Sequence, residues 1–128
     1  MFQLSDLEPD VYELRVHTSD VRGASTDASV WVALVGERSR TRRVELSSDA
    51  EACFVRAGTD VFEVEGRDLG DLSALVIGHD GRGFAPAWHL ASVEVRCKTR
   101  PEMATLHFPC HDWIRKEGGT AKSSPARE

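Results

Sequence analysis

The sequence predicts an all-β fold, a sandwich or barrel of about seven or eight short antiparallel strands. Apolar and polar residues alternate with a period of two along most of the chain, as they do in strands with one buried face. Short apolar runs stand between the alternating segments, and clusters of Gly and Asp separate them. No segment in the middle of the chain sustains a helical period, so no crossover helix is expected.

The first predicted strand covers 11–17. It places Tyr12, Leu14 and Val16 on one side and polar residues on the other, which is typical of a half-buried antiparallel strand. The next run, 30–35, is apolar throughout and predicts a strand covered on both faces. The same patterns predict later strands at 61–65, 74–77, 92–96 and 105–108. Turn segments rich in Gly and Asp lie between the strands at 22–25, 68–71 and 80–83.

Charge and composition exclude several classes of protein. The 128 residues carry 16 Lys and Arg against 21 Asp and Glu, and this net charge of -5 argues against a nucleic-acid-binding protein, which needs a basic face. No run approaches the ~20 apolar residues of a membrane-spanning helix, and the first residues do not resemble a signal peptide. Three cysteines are too few for a disulfide framework, so a cytoplasmic setting is expected, with peripheral attachment to a membrane or a cytoskeletal structure left open.

A set of short fragments follows the chain in a fixed order. The fragments are YELRV at 12–16, GASTDA at 23–28, FVR at 54–56, DVF at 60–62, DLGDL at 68–72, IGHDG at 77–81, PAWHL at 86–90 and FPCHDW at 108–113. In this order and spacing they resemble the PLAT (lipoxygenase-homology) domain. The Phe-Pro-Cys ending is similar to that of tandem-PLAT proteins and of the N-terminal domains of animal lipoxygenases. The resemblance covers about 11–114.

The resemblance implies an eight-stranded antiparallel β-sandwich of two four-stranded sheets. It also implies a non-catalytic module that docks onto proteins or lipid surfaces, in some members with calcium. In that family the iron-lipoxygenase chemistry belongs to a separate and larger domain. We expect an N-terminal lead-in over 1–10, the PLAT sandwich over 11–116 and, because 117–128 has no large apolar side chain, a disordered tail there.

Calcium is the first ligand to consider. Hard cations prefer about six to eight oxygen ligands gathered on loops. Asp27 and Asp80 lie in two Gly-containing loops that we expect at the same end of the sandwich. The resemblance implies that calcium-binding members use backbone oxygens at the positions of Ser25 and Thr26 and a carboxylate at that of Asp27.

Other expected calcium ligands are missing. Ala52 and Cys53 stand where the resemblance implies acidic or amide ligands, and Pro86 stands where some members have an aspartate. The sequence therefore predicts a weak calcium site or none. In the alternative interpretation, Asp27 and Asp80 accept hydrogen bonds from turn amides.

Membrane contact is the second candidate. The resemblance implies aromatic residues on the loops at one end of membrane-docking members, and Phe84 lies in such a Gly-rich loop. An anionic lipid surface would also attract a run of basic residues, Arg38, Arg40, Arg42 and Arg43. One Phe and a few arginines predict only marginal membrane binding by this chain alone. The arginines equally fit a protein-docking strip or a solvated hairpin.

The remaining distinctive residues favour structural roles. Trp31, Trp88 and Trp113 lie in or beside apolar patterns and are predicted to anchor the core. Arg56 and Asp60 are predicted to form a partly buried ion pair that fixes a turn. No nucleophile elbow, phosphate-binding loop, zinc-ligand spacing or metalloprotease motif is present, so catalytic activity is not expected.

These observations predict a non-enzymatic interaction module that mediates protein–protein contacts within a larger protein or assembly. Two alternatives stay open. One is a calcium-assisted, lipid-targeting domain that uses Asp27, Asp80 and Phe84. The other is the regulatory domain of a lipid-metabolising enzyme.

Overall fold

The protein is described from a computed structural model. The structure describes residues 9–46, 53–83 and 86–114, and the backbone of 120–122 and 126–127. The strands are β1 (Asp10–Thr18), β2 (Val30–Gly36), β3 (Val44–Leu46), β4 (Thr59–Gly66), β5 (Leu72–His79), β6 (Trp88–Cys97), β7 (Leu106–Ile114), β8 (Thr120–Lys122) and β9 (Ala126–Arg127).

The strands form two antiparallel sheets. The first sheet has the order β4-β1-β6-β7-β9 and the second has the order β3-β2-β5-β8. Seven strands have described side chains, four in the first sheet and three in the second, while β8 and the two-residue β9 are described by their backbone alone. The predicted all-β antiparallel sandwich is confirmed.

The core lies between the two sheets and is built from alternate residues of each strand. In β1, Tyr12, Leu14 and Val16 are buried, as the alternation predicts, and β2 is buried or half-buried along its length. Trp88 and Phe108 are the largest of the fully buried side chains. The ring of Phe54 packs edge-on against Trp88, with 5.1 Å between the ring centroids.

Strand β6 changes its buried face once along its length. Trp88 and Leu90 point into the core at even positions, whereas Val93 and Val95 do so at odd positions. The register against β1 shifts where His17 pairs with Ser92 and Thr18 with Leu90, which leaves Ala91 as an extra residue. This β-bulge reverses the parity of the strand and lets both ends of β6 contribute to one core.

One edge of the first sheet is open among the described residues. β4 pairs only with β1 there, and its outward-facing side chains include Val61, Glu63 and Glu65. Val61 is 49% exposed, and Glu63 bonds to Lys98. Charged side chains on an edge strand oppose pairing with further strands.

The predicted domain limits remain predictions. Of the tail assigned to 117–128, the structure describes only 120–122 and 126–127, where the backbone pairs with β5 and β7 as β8 and β9. The other residues of that tail lie outside the described part of the chain, as does the lead-in up to residue 8.

Tyr12 is the single tyrosine of the chain, so its ionisation can be measured directly. Burial, with a smaller contribution from Cys97 and Asp10, raises the pKa of Tyr12 to about 12. Because the folded state favours the neutral phenol, this stabilisation is complete below pH ~10 and is lost as the pH rises through about 12. We expect tyrosinate absorbance to develop near pH 12 in the folded chain and near pH ~10 in concentrated urea. Equal titration midpoints in the folded and the urea-unfolded chain would contradict the buried environment of Tyr12.

Candidate functional site

Three loops meet at one end of the sandwich, called here the loop end and made of residues 19–29, 53–58 and 80–83. The backbone links them directly: Thr26 N–H donates to Phe54 O at 3.2 Å, and Asp80 N–H donates to Ser29 O at 3.0 Å. The loops that carry Asp27 and Asp80 are therefore neighbours.

Two hydroxyl groups clamp the loop end. Thr26 Oγ1 donates to Pro86 O at 2.7 Å and accepts from Ala28 N–H at 3.1 Å. Ser25 Oγ accepts from Arg56 N–H at 2.7 Å. Thr26 is only 7% exposed, so its hydroxyl satisfies polar groups that water cannot easily reach.

The two candidate carboxylates have different surroundings. Asp80 Oδ1 accepts from Ser29 N–H at 3.2 Å and from Arg82 N–H at 3.0 Å, and the bond from the Arg82 amide is the main cause that lowers the pKa of Asp80. The carboxylate of Asp27 lies against Gly83, where an added Cβ would approach Oδ1 to 2.5 Å. Gly83 also has a φ of +101°, so both space and backbone conformation favour glycine there.

Several oxygens near the two carboxylates already take part in hydrogen bonds. Thr26 Oγ1 and Pro86 O are hydrogen-bonded to each other. Asp80 Oδ1 already accepts hydrogen bonds from two backbone amides. Among the described residues, no group of three or more His, Cys, Asp and Glu side chains could hold a metal ion. Two carboxylates are few for a cation that prefers about six to eight oxygens. Ala52 and Phe84, which the sequence analysis singled out, lie outside the described residues.

The three tryptophans have three different environments. Trp88 is fully buried, and its Nε1–H donates to Thr18 Oγ1 at 3.0 Å. Trp31 is half-buried, with the guanidinium of Arg43 3.9 Å from its ring centroid. The prediction of a core anchor is wrong for Trp113, which is 45% exposed.

Trp113 adds an apolar surface to the loop end. Its ring packs edge-on against His89, with 4.9 Å between the centroids, and an added Cβ at Gly23 would lie 3.9 Å from it. Val21, in the same loop as Gly23, is 39% exposed. Sequence reasoning missed this surface, although Trp113 has the opposite parity to Phe108 along β7.

The four arginines of the β2–β3 connection do not form one uniform strip. Arg38 donates to Asp68 Oδ1 at 2.7 Å, at the end of the sandwich opposite the loop end. Arg43 covers Trp31. Arg40 and Arg42 are exposed and form no ion pair with any residue that the structure describes.

The predicted pair between Arg56 and Asp60 is wrong. Arg56 Nε donates to Asp20 Oδ1 at 2.8 Å, whereas Asp60 Oδ2 accepts from Phe54 N–H at 2.8 Å. Each group therefore fixes a different loop, and the two do so with separate partners.

In the described part of the chain, no helix is long and apolar enough to cross a membrane.

Comparison with known proteins identifies the family. Residues 12–123 match the family model described as PLAT/LH2 domain, and the chain belongs to that family. It is 38% identical over 109 residues to lipoxygenase homology domain-containing protein 1 of Mus musculus, and this match covers 85% of the chain and 5% of the mouse protein. It is 32% identical over 123 residues to polycystin-1-like protein 3 of Homo sapiens, covering 91% of the chain and 7% of that protein.

A solved structure shows the same fold. The chain superposes on coral 8R-lipoxygenase with a TM-score of 0.81 and 26% sequence identity, over 91% of this chain and 17% of the lipoxygenase. That structure is described as showing calcium activation via a C2-like domain. The sequence thus corresponds to a small part of each of these larger proteins.

Replacing Thr26 with Val tests the clamp at the loop end. The variant keeps the shape of the side chain but leaves Pro86 O and Ala28 N–H without their partner. We expect the free energy of unfolding in urea to fall by about 1–3 kcal/mol. Ser29→Ala, at an exposed position of the same loop, should change it by less than ~0.5 kcal/mol. Equal stability of Thr26→Val and the parent chain would show that the clamp contributes nothing.

Proposed function

We propose that this chain is a non-enzymatic interaction module that mediates protein–protein contacts within a larger protein or assembly. The observation that carries the proposal is the β2–β3 connection, where Arg40 and Arg42 are exposed and form no ion pair with described residues. Exposed guanidinium groups that form no ion pair with a described residue can steer an acidic partner and form bidentate bonds to its carboxylates. The family membership and the small share of each relative that the chain covers support a module of a larger protein.

The hydrogen bonds of His79 and His89 support a structural rather than a catalytic role for these two side chains. His79 Nδ1 accepts from Gly81 N–H at 3.0 Å, so its Nε2–H donates to Ile114 O at 2.9 Å. His89 Nδ1 lies 2.6 Å from Ser19 Oγ, but Ser19 is only 6% exposed. A nucleophilic serine must be reached by substrate, and this hydroxyl is covered. We therefore propose that the chain itself has no enzymatic activity. We also propose that it acts in the cytoplasm.

Charge reversal on the β2–β3 connection tests the proposed docking surface. We expect Arg40→Glu/Arg42→Glu to lower the capture of partner proteins in a quantitative pull-down by about tenfold, with the largest effect at low salt. Arg22→Glu/Arg82→Glu is the matched control, because it changes the net charge equally at exposed positions of the loop end. Capture that both double variants lower equally, or that neither lowers, would remove the arginines from the proposal.

A second candidate function is a calcium-assisted membrane-targeting domain that uses Asp27, Asp80 and Phe84. Two observations favour it. Val21, on the loop that carries Asp27, and Trp113, on β7 beside that loop, are exposed. The coral lipoxygenase is described as calcium-activated through its C2-like domain. With two described carboxylates, calcium affinity would be weak. A regulatory role beside a lipid-metabolising domain is a variant of this candidate.

Vesicle flotation separates this candidate from the first. Membrane targeting predicts that the chain floats with phosphatidylserine-containing vesicles in calcium but not in chelator. It also predicts that Trp113→Ala and Phe84→Ala each lower the floated fraction, because each removes apolar area from the contact. Val61→Ala, 49% exposed on β4, should not change it. Absence of flotation in both conditions would discard this candidate.

A further inference from the structure

The second sheet has an apolar outer face, on the side turned away from the core. Residues 30, 32 and 34 of β2 point into the core, so 31, 33 and 35 point away from it. On that side β2 and β5 form cross-strand pairs of apolar residues alone, namely Trp31 with Gly78, Ala33 with Val76 and Val35 with Ala74. An antiparallel sheet that faces water usually has polar residues on that side. This outer face therefore has the composition of a covered surface.

No strand in the described part of the chain packs over this face. The strands of the first sheet contribute to the core and so lie on the other side of β2 and β5. Trp31, Val35 and Val76 are half-buried and keep part of their surface in water. The apolar run 30–35 predicts a strand covered on both faces, and the core provides one of these covers. A contiguous apolar surface on the other side is typical of an interaction site.

One flank of the outer face is basic. The guanidinium of Arg43 lies 3.9 Å from the ring centroid of Trp31. Arg40 forms an antiparallel bridge with Val35, so the two residues share a side of the sheet, and Arg40 forms no ion pair with a described residue. Glu45, opposite Trp31, adds one carboxylate. This flank is net positive on a chain of net charge -5, and it is complementary to an acidic partner.

The dimensions of the outer face fit a helix. The strands β3, β2 and β5 lie side by side, and two strand spacings make a width of about 10 Å. From Trp31 to Val35 the strand rises about 13 Å. An α-helix is about 10 Å across, and about nine of its residues span this length. One amphipathic helix of two to three turns therefore covers the face.

The shape of the face favours a protein over a lipid surface. Ala33 is only 4% exposed, and the ring of Trp31 is covered on one side by a guanidinium group. A peripheral membrane element buries its apolar side chains several ångströms below the headgroups, and these short, half-buried side chains do not project that far. A helix can lie flat on them.

We propose that the outer face of the second sheet binds an amphipathic helix of a partner protein. The apolar stripe of the helix, with residues at i, i+4 and i+7, lies on β2 and β5, and carboxylates on one flank of the helix bond to Arg40 and Arg43. The proposal rests on the proposed function, since Arg40 belongs to both. It adds the apolar centre of the docking surface and the kind of partner that fits it.

Nuclear magnetic resonance titration of the full ¹⁵N-labelled chain with a synthetic helix tests the site. The probe is a peptide of about 18 residues with a leucine stripe and glutamates along one flank. We expect saturable shifts of the Ala33, Val35 and Val76 amides, with a dissociation constant on the order of 0.1 mM. A version with glutamine for glutamate should bind about tenfold more weakly, and a scrambled version should give no saturable shift. Equal binding of either control, or no saturable shift with the probe, would overturn the proposal.

A charged residue on the outer face should block the helix. Val76→Lys places an ammonium group in the middle of the apolar patch, and we expect it to weaken peptide binding at least ~10-fold. Val61→Lys is the matched control, because it makes the same change on β4 of the first sheet, where Val61 is 49% exposed. Ala74→Lys, on the same face as Val76, repeats the test if urea unfolding shows that Val76→Lys does not fold. Equal binding by Val76→Lys or Ala74→Lys and by Val61→Lys would overturn the proposal.

Two further measurements test the other occupants. A dimer in analytical ultracentrifugation that Val76→Lys dissociates would assign the face to a second copy of the chain and overturn the proposal. Flotation with phosphatidylserine-containing vesicles that Val76→Lys abolishes would assign it to a lipid surface and also overturn it. We expect a monomer and no effect of Val76→Lys on flotation.

The pull-down separates this proposal from the proposed function. We expect Val76→Lys to lower partner capture, as Arg40→Glu/Arg42→Glu does. Capture that the arginine variant lowers and Val76→Lys does not would overturn the helix site and leave the proposed function standing. Peptide binding that requires Val76, together with capture that the arginine variant leaves unchanged, would support the helix site and remove the arginines from the proposed function.

Discussion

The hydrogen bond from Trp88 Nε1 to Thr18 Oγ1 joins the core of this protein to its loop end. Trp88 fills the space between the two sheets and cannot be buried there unless its N–H finds an acceptor. Thr18 supplies that acceptor at the last position of β1, where its own N–H is bonded to Gly58 O. The packing of one large side chain thus fixes where β1 ends and where the loops begin. The positions of the loop-end residues depend on this constraint.

The sequence predicts the sheets well because strand patterning is local. Tyr12, Leu14 and Val16 are buried where the period of two places them, and 30–35 is buried or half-buried, as its composition indicates. The bulge at Ala91 was not predictable in this way. It depends on the register between β1 and β6, which no local pattern in β6 specifies.

Trp113 shows a different limit of sequence reasoning. The preference of tryptophan for the interior predicted burial, but Phe108 and Ile114 are the buried residues of β7 and both have even parity. Trp113 therefore faces outward, opposite His89 on β6. Here the geometry of the strand outweighs the hydrophobicity of the residue.

The candidate sites depend on contacts between residues that are distant in sequence, and these were the least predictable. The sequence predicted Asp27 and Asp80 on loops at the same end of the sandwich, and the structure brings those loops together. The partners of Arg56 and Asp60 were assigned by their proximity in the chain, whereas the folded loops offer each group a better partner, Asp20 for the arginine and the Phe54 amide for the aspartate.

Among the described residues one edge of β4 is open, and this affects how a second domain can adjoin this one. Glu63 and Glu65 project from that strand, and an identical strand placed alongside would bring four carboxylates into one ladder. Like charges at that spacing repel, and so continuous sheet formation between adjacent copies is disfavoured. In a protein with several such units, neighbouring units would pack through their faces or ends and keep their sheets separate. The same repulsion protects a multidomain chain from misassembly during folding.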